Sequence, residues 1–182
     1  MVHSRKTHTV INLKRPFKVF AASLLCFVLL SATLVQPENQ SFNTVQSGIV
    51  NDSFKTDSLI QWASQYLKKP YCYGANPPQC FDCSGLVNHV FKQFGVSLPN
   101  SSGAIATNGQ FVSFNHARKG DLIFFNGRQA NTETVGHVGI VTHMQSDTIF
   151  FIHASVQSGV IVSHTKEAYY SQRLLFVKRV KL

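Results

Sequence analysis

Acidic residues are scarce in this chain: eight Asp and Glu stand against seventeen Lys and Arg in 182 residues, a net charge of +9. Cysteines number four, methionines two and tryptophan one. The basic excess invites a nucleic-acid reading, yet no zinc finger, RNP-like aromatic motif or helix-turn-helix pattern accompanies it, so DNA or RNA binding is not expected. The excess also shrinks when it is mapped. The first 36 residues hold five Lys or Arg and no acid, which leaves twelve bases against eight acids, or +4. That balance suits loose attraction to an anionic polymer or membrane surface. No apolar run reaches the roughly 20 residues of a confident membrane span. There is no internal repeat and no low-complexity block, and one core of roughly 125 residues is expected.

The N-terminus reads as an export signal. Met1 to Lys18 carries the five bases, and an apolar run with small residues near its end, Phe20 to Val35, follows. Residues 1–36 are thus expected to be a signal peptide or an uncleaved membrane anchor, with cleavage between Ala32 and Asn39. A lipid-modified Cys26 is disfavoured, because a leucine precedes it and apolar sequence continues beyond it. Residues 37–56 are polar, lack strong periodicity and are expected to form a linker. The remainder, 57–182, reads as one α+β domain. Asp57 is placed to cap a helix running to about Lys69, with Ile60, Ala63 and Leu67 on one face and Pro70 ending it. From Asp121 onward the pattern turns to strands, in DLIFF, HVGIVTHM, TIFFIHA, VIVSH and LLFVKRV.

The chemistry centres on FDCSGLVNHVF, Phe81 to Phe91. Leu86, Val87, Val90, Phe91 and Phe94 follow Cys83 at the spacing of one buried helical face, and Gly95 stands where that helix should stop. Cys83 therefore falls in the first turn, where unpaired N–H groups and the helix dipole favour the nucleophilic thiolate. Downstream, GHVGIVTHM and TIFFIHAS form a hairpin about Gln145, Ser146 and Asp147, bringing His137 nearly opposite His153. His137 is then the base for Cys83 and His153 its orienter, and activity should fall as the imidazole protonates between pH 8 and 5. His89, His116, His143 and His164 have no such pairing and read as surface or core residues. Cys72 and Cys80 are free to form a disulfide across NPPQ or to remain two small apolar residues; the spacing leaves both open.

In order, KPYCYGANPPQCFDCSGLV, SLPNSS, RKGDLIFF, GHVGIV and FIHAS resemble the NlpC/P60 family of papain-like cysteine peptidases, from about Leu59 to the C-terminus. The resemblance implies a papain-like α+β fold, with N-terminal helices packed on a central antiparallel sheet of about five strands. It implies Cys83 as nucleophile, His137 as general base and His153 as third polar residue, with no metal or cofactor needed. It further implies Tyr71 beside the nucleophile, Asp82 and Ser84 shaping the pocket that receives the free amine of a peptidoglycan stem peptide, and Asp121 as a structural residue. The implied reaction is hydrolysis of amide bonds such as D-Glu to diaminopimelate or D-Ala to diaminopimelate, in an exported enzyme of the periplasm or cell envelope. Three positions depart from the pattern: Ala75 replaces the second glycine of the tyrosine motif, Asn100 a common arginine, and Ile105 a frequent glutamine. Rival readings are an inactive wall-binding protein and an amidase acting on another peptide. A redox protein using Cys80 and Cys83 lacks the βαβ pattern, and a zinc module using Cys72, Cys80 and Cys83 lacks a second close pair of ligands.

Overall fold

A computed structural model describes residues 40–130 and 132–182. The expected signal, residues 1–36, and the first three residues of the expected linker lie outside the described residues. Helix α1 spans Gln40–Ser64, α2 Cys83–Lys92, α3 Ser102–Ile105 and α4 Ala168–Ser171. The strands are β1 (Gln110–Val112), β2 (Leu122–Asn126), β3 (Val135–Gln145), β4 (Thr148–Ser155), β5 (Gly159–His164) and β6 (Leu174–Arg179). They form one sheet in the order β1-β6-β2-β3-β4-β5, with every neighbouring pair antiparallel. The expected α+β architecture is thus present with one strand more than the five read from sequence. No helix among the described residues is long and apolar enough to cross a membrane.

The first helix corrects the expected linker. Residues 40–56 are helical, and Asp57 lies inside α1 rather than capping it. Residues 40–56 contain no proline and one glycine, so nothing blocks propagation upstream from the turns anchored by Leu59 and Ala63, both fully buried. The last turns of that stretch are tied down as well. Asp52 meets Arg118 at 2.8 Å and Asp57 pairs with Lys119, so the domain begins before residue 57. At its other end α1 stops short of the expected Lys69. The amide of Lys68 donates to the carbonyl of Val160 and that of Val160 donates to the carbonyl of Lys69, both at 2.8 Å, so this backbone joins the start of β5 instead of continuing the helix.

Both faces of the sheet are covered. On one, α1 and α2 bury Leu59, Phe81, Leu86, Val90 and Phe91 against Phe124, Val138, Ile140 and Ile152. On the other, Ile123, Phe125, Val141, Phe151 and Val177 pack with Tyr170 from α4. Strand β2 lies between these layers with all five residues buried, which explains its unbroken apolar run in place of an alternating one. Asp121, just before β2, is 1% exposed and accepts from Nε and Nη2 of Arg179 at 2.7 and 2.8 Å and from the Arg118 amide at 2.8 Å. That bidentate pair fixes β6 to the start of β2, a structural role.

Candidate active site

Cys83 is the first residue of α2, and the geometry of this helix start is dictated by Asp82. As the N-cap, Asp82 accepts from the amide of Gly85 at 2.6 Å and the hydroxyl of Ser84 at 2.9 Å, and its second oxygen accepts from the amide of Gly74 at 2.9 Å. One carboxylate thereby holds both the helix and the loop in front of it. That loop is closed by a Cys72–Cys80 disulfide. Cys83 is the free thiol among the described residues. Because Cys80 is committed to Cys72, the redox pairing of Cys80 with Cys83 is not formed. The Ser84 hydroxyl also reaches the carbonyl of Asn100 at 3.2 Å, so this buried side chain braces the nucleophile turn against the following loop.

The thiol itself departs from expectation. The backbone N–H groups of Val138 and Ser84 face the sulfur and favour thiolate, but burial outweighs them, the Asp82 charge adds to it, and the Cys83 thiol is pushed up rather than down. Removing a small anion from water costs more than one helix start returns. Tyr71 lies close enough for Cys83 and Asp82 to raise its phenol, although burial is the larger cause. Tyr71, Asp82, Cys83 and Ser84 are therefore gathered at one place.

The imidazoles lie on the sheet. Val138, whose N–H faces the sulfur, directly follows His137 in β3. His137 Nε2 shares a 3.0 Å hydrogen bond with His153 Nδ1, so the two histidines meet as expected. They are diagonal rather than opposite neighbours. The β3–β4 pairing aligns Ile140 with Ile152, which sets His153 beside Gly139, two residues from His137 and on the same face. With Nε2 occupied by His153, Nδ1 is the ring nitrogen of His137 left free of that bond. Among the described hydrogen bonds none joins Cys83 to His137; the sulfur rests against backbone N–H groups. His153 is fully buried, and its other nitrogen, Nε2, lies 3.1 Å from the hydroxyl of Tyr170. Nothing in the sequence marked Tyr170, one of two adjacent tyrosines between two strands.

Burial sets the protonation of this pair. His137, packed against Phe125, His153 and Tyr170, is lowered to about 4, and His153 to about 3, by burial first and by His137 second. Both rings are neutral at pH 7, and the expected titration between pH 5 and 8 moves down to about 4. A neutral imidazole is competent to accept a proton.

Residues 68–179 match the NlpC/P60 family. The chain belongs to that family. It is 39% identical over 102 residues to a "Probable endopeptidase p60" of Listeria grayi, covering 56% of this chain and 18% of that protein. It is 37% identical over 111 residues to the "Murein DD-endopeptidase MepS/Murein LD-carboxypeptidase" of Escherichia coli, covering 60% of this chain and 55% of the other. A solved NLP/P60 family structure from Staphylococcus aureus, described as similar to lipoprotein, superposes with a TM-score of 0.62 at 30% identity, over 71% of this chain and 42% of that one. The chain thus spans between about a fifth and just over half of the length of these relatives.

Within this NlpC/P60 domain the three departures differ in consequence. Ala75 has φ 40°, in the left-handed region where glycine is unstrained, which is the physical reason for a glycine there. Asn100 is held by its own bonds, its Oδ1 accepting from Asn88 Nδ2 at 2.8 Å. Ile105 is fully buried in the core beneath α3 and packs there in place of a polar group.

Proposed function

We propose that this chain is a cysteine endopeptidase that hydrolyses amide bonds in peptidoglycan stem peptides or cross-links. The observation that carries the reading is the placement of one free thiol, at a helix start, against the strand residue next to a buried neutral His137–His153 pair. The names borne by the relatives, endopeptidase and murein endopeptidase, support the substrate class. Cys83 is the nucleophile, His137 the base and His153 its orienter, while Tyr71, Asp82 and Ser84 line the substrate pocket. Asp82 is suited to a peptide's ammonium group, since its second oxygen has a single internal partner.

In the reaction the Cys83 sulfur attacks the amide carbonyl carbon as its proton passes to Nδ1 of His137. The negative oxygen is held by N–H groups at the start of α2. Collapse breaks the C–N bond, the leaving amine takes the proton from His137, and a thioester remains. Water then attacks the thioester, His137 again taking the proton, and the acid and free thiol are regenerated. The setting is the cell envelope outside the cytoplasm, reached through the N-terminal export signal, and the Cys72–Cys80 disulfide fits an oxidising space.

The test is incubation of the protein and its Cys83→Ala variant with purified peptidoglycan, followed by mass identification of released fragments. Fragments made by the unsubstituted protein alone establish the activity and name the bond. Cleavage that survives in Cys83→Ala refutes the nucleophile, and no cleavage by either refutes the enzyme reading in favour of a wall-binding role.

A further inference from the structure

We propose that Tyr170 is a positioning residue that sets the tautomers of both site histidines, extending the pair to a relay His137–His153–Tyr170. The inference rests on the reading of His137 as the base. The contacts that carry it are His137 Nε2 to His153 Nδ1 at 3.0 Å and His153 Nε2 to Tyr170 Oη at 3.1 Å. His153 has no exposed surface, so its two nitrogens depend on these partners.

Only one direction of donation leaves a working base. If Tyr170 donated to His153 Nε2, the His153 proton would sit on Nδ1 and donate to His137 Nε2. That arrangement puts the His137 proton on Nδ1, the nitrogen that must accept from the thiol. In the opposite direction His137 Nε2–H donates to His153 and His153 Nε2–H donates to the Tyr170 oxygen. Nδ1 of His137 then carries a free electron pair. The phenol keeps its proton throughout, being raised to about 12 by burial, with Glu167 and Tyr169 adding in the same sense. The ring is fixed by packing against Phe125, Phe151 and His153, at centroid distances of 5.3, 5.1 and 5.2 Å.

Tyr170→Phe retains that packing and removes the oxygen alone. The expected result is a fall in kcat of about tenfold, the scale of one buried hydrogen bond, with KM unchanged and the melting temperature lowered by a few degrees because the buried His153 N–H loses its partner. Alkylation of Cys83 by iodoacetamide, followed from pH 3 to 9, needs no wall substrate and should show a similarly lowered rate at neutral pH, with its acid limb displaced to lower pH. Unchanged kcat and alkylation profiles in Tyr170→Phe overturn the relay. So does a loss of kcat no larger than the fraction of Tyr170→Phe that is unfolded at the assay temperature. If the unsubstituted protein fails to cut peptidoglycan but Tyr170→Phe still slows alkylation, the substrate reading falls and the relay stands.

Discussion

Holding two histidines neutral inside the fold makes the domain vulnerable to mild acid. In the unfolded chain both titrate near 6.5, whereas in the folded protein His137 waits until about 4 and His153 until about 3. The unfolded state therefore binds more protons as pH falls below 6.5. The stabilisation is complete above that value and is lost progressively as pH drops through the interval down to the folded values. Between pH 7 and pH 5 the linkage relation takes about 2 kcal/mol from His153, and somewhat less from His137, whose ring keeps some contact with solvent, so about 3 kcal/mol in all. His89, lowered by burial and Lys92, adds in the same sense. Against a typical domain stability of about 5–15 kcal/mol this is a large fraction. Urea unfolding at pH 7, 6 and 5, in the Cys83→Ala background to prevent oxidation, should show midpoints falling steeply with unchanged slope. The double variant His137→Gln/His153→Asn should lose most of that pH dependence, whereas His143→Gln, at an exposed position, should keep it. Stability at pH 5 within about 1 kcal/mol of that at pH 7, or a double variant with the parent's pH dependence, refutes the assignment of neutral buried imidazoles.

Cys72→Ala/Cys80→Ala opens a loop of eight-residue separation, and the chain-entropy relation gives a loss of about 2.5 kcal/mol, read as a lower urea midpoint; an unchanged midpoint would show that the disulfide does not restrict the unfolded chain. Gly139→Ala would bring a methyl group 2.8 Å from Phe151 Cδ2 and 3.3 Å from His153 Cβ, so it should cost about 1–3 kcal/mol and lower kcat by displacing His153, with KM little affected; parent-like kcat would mean that His153 does not orient the base.

How much of this was legible in the sequence depended on residue type and element length. The nucleophile helix was readable because Leu86, Val87, Val90 and Phe91 mark one face and Gly95 marks its end. The strands β2 to β6 were readable from their β-branched and aromatic runs. Strand β1 was not, since Gln110 and Phe111 are exposed and three residues carry no period. The upstream half of α1 was hidden for a similar reason, as its polar sequence shows no strong periodicity. The thiol's pKa was misjudged because a sequence shows the helix start but not the packing that desolvates it. Tyr170 was invisible because α4 is four residues long and its partners come from β2 and β4.

The meeting of the two histidines depends on a feature that periodicity alone could not supply. At the turn, Gln145 pairs with Thr148 and His143 with Phe150, a register that, continued without interruption, would set His153 opposite Ile140. His137 is three residues from Ile140, so its side chain would then project to the face opposite His153. The register instead shifts between Val141 and His143, leaving Thr142 as the extra residue of a bulge, and beyond it Val141 pairs with Phe151 and Ile140 with Ile152. His153 consequently lies beside Gly139, at an even distance from His137, and both rings emerge on the face where Phe125, Phe151 and Tyr170 close around them. One inserted residue thus converts two histidines on opposite faces into a hydrogen-bonded pair. Gly139, with no side chain at the crossing, leaves the space that the His153 ring requires.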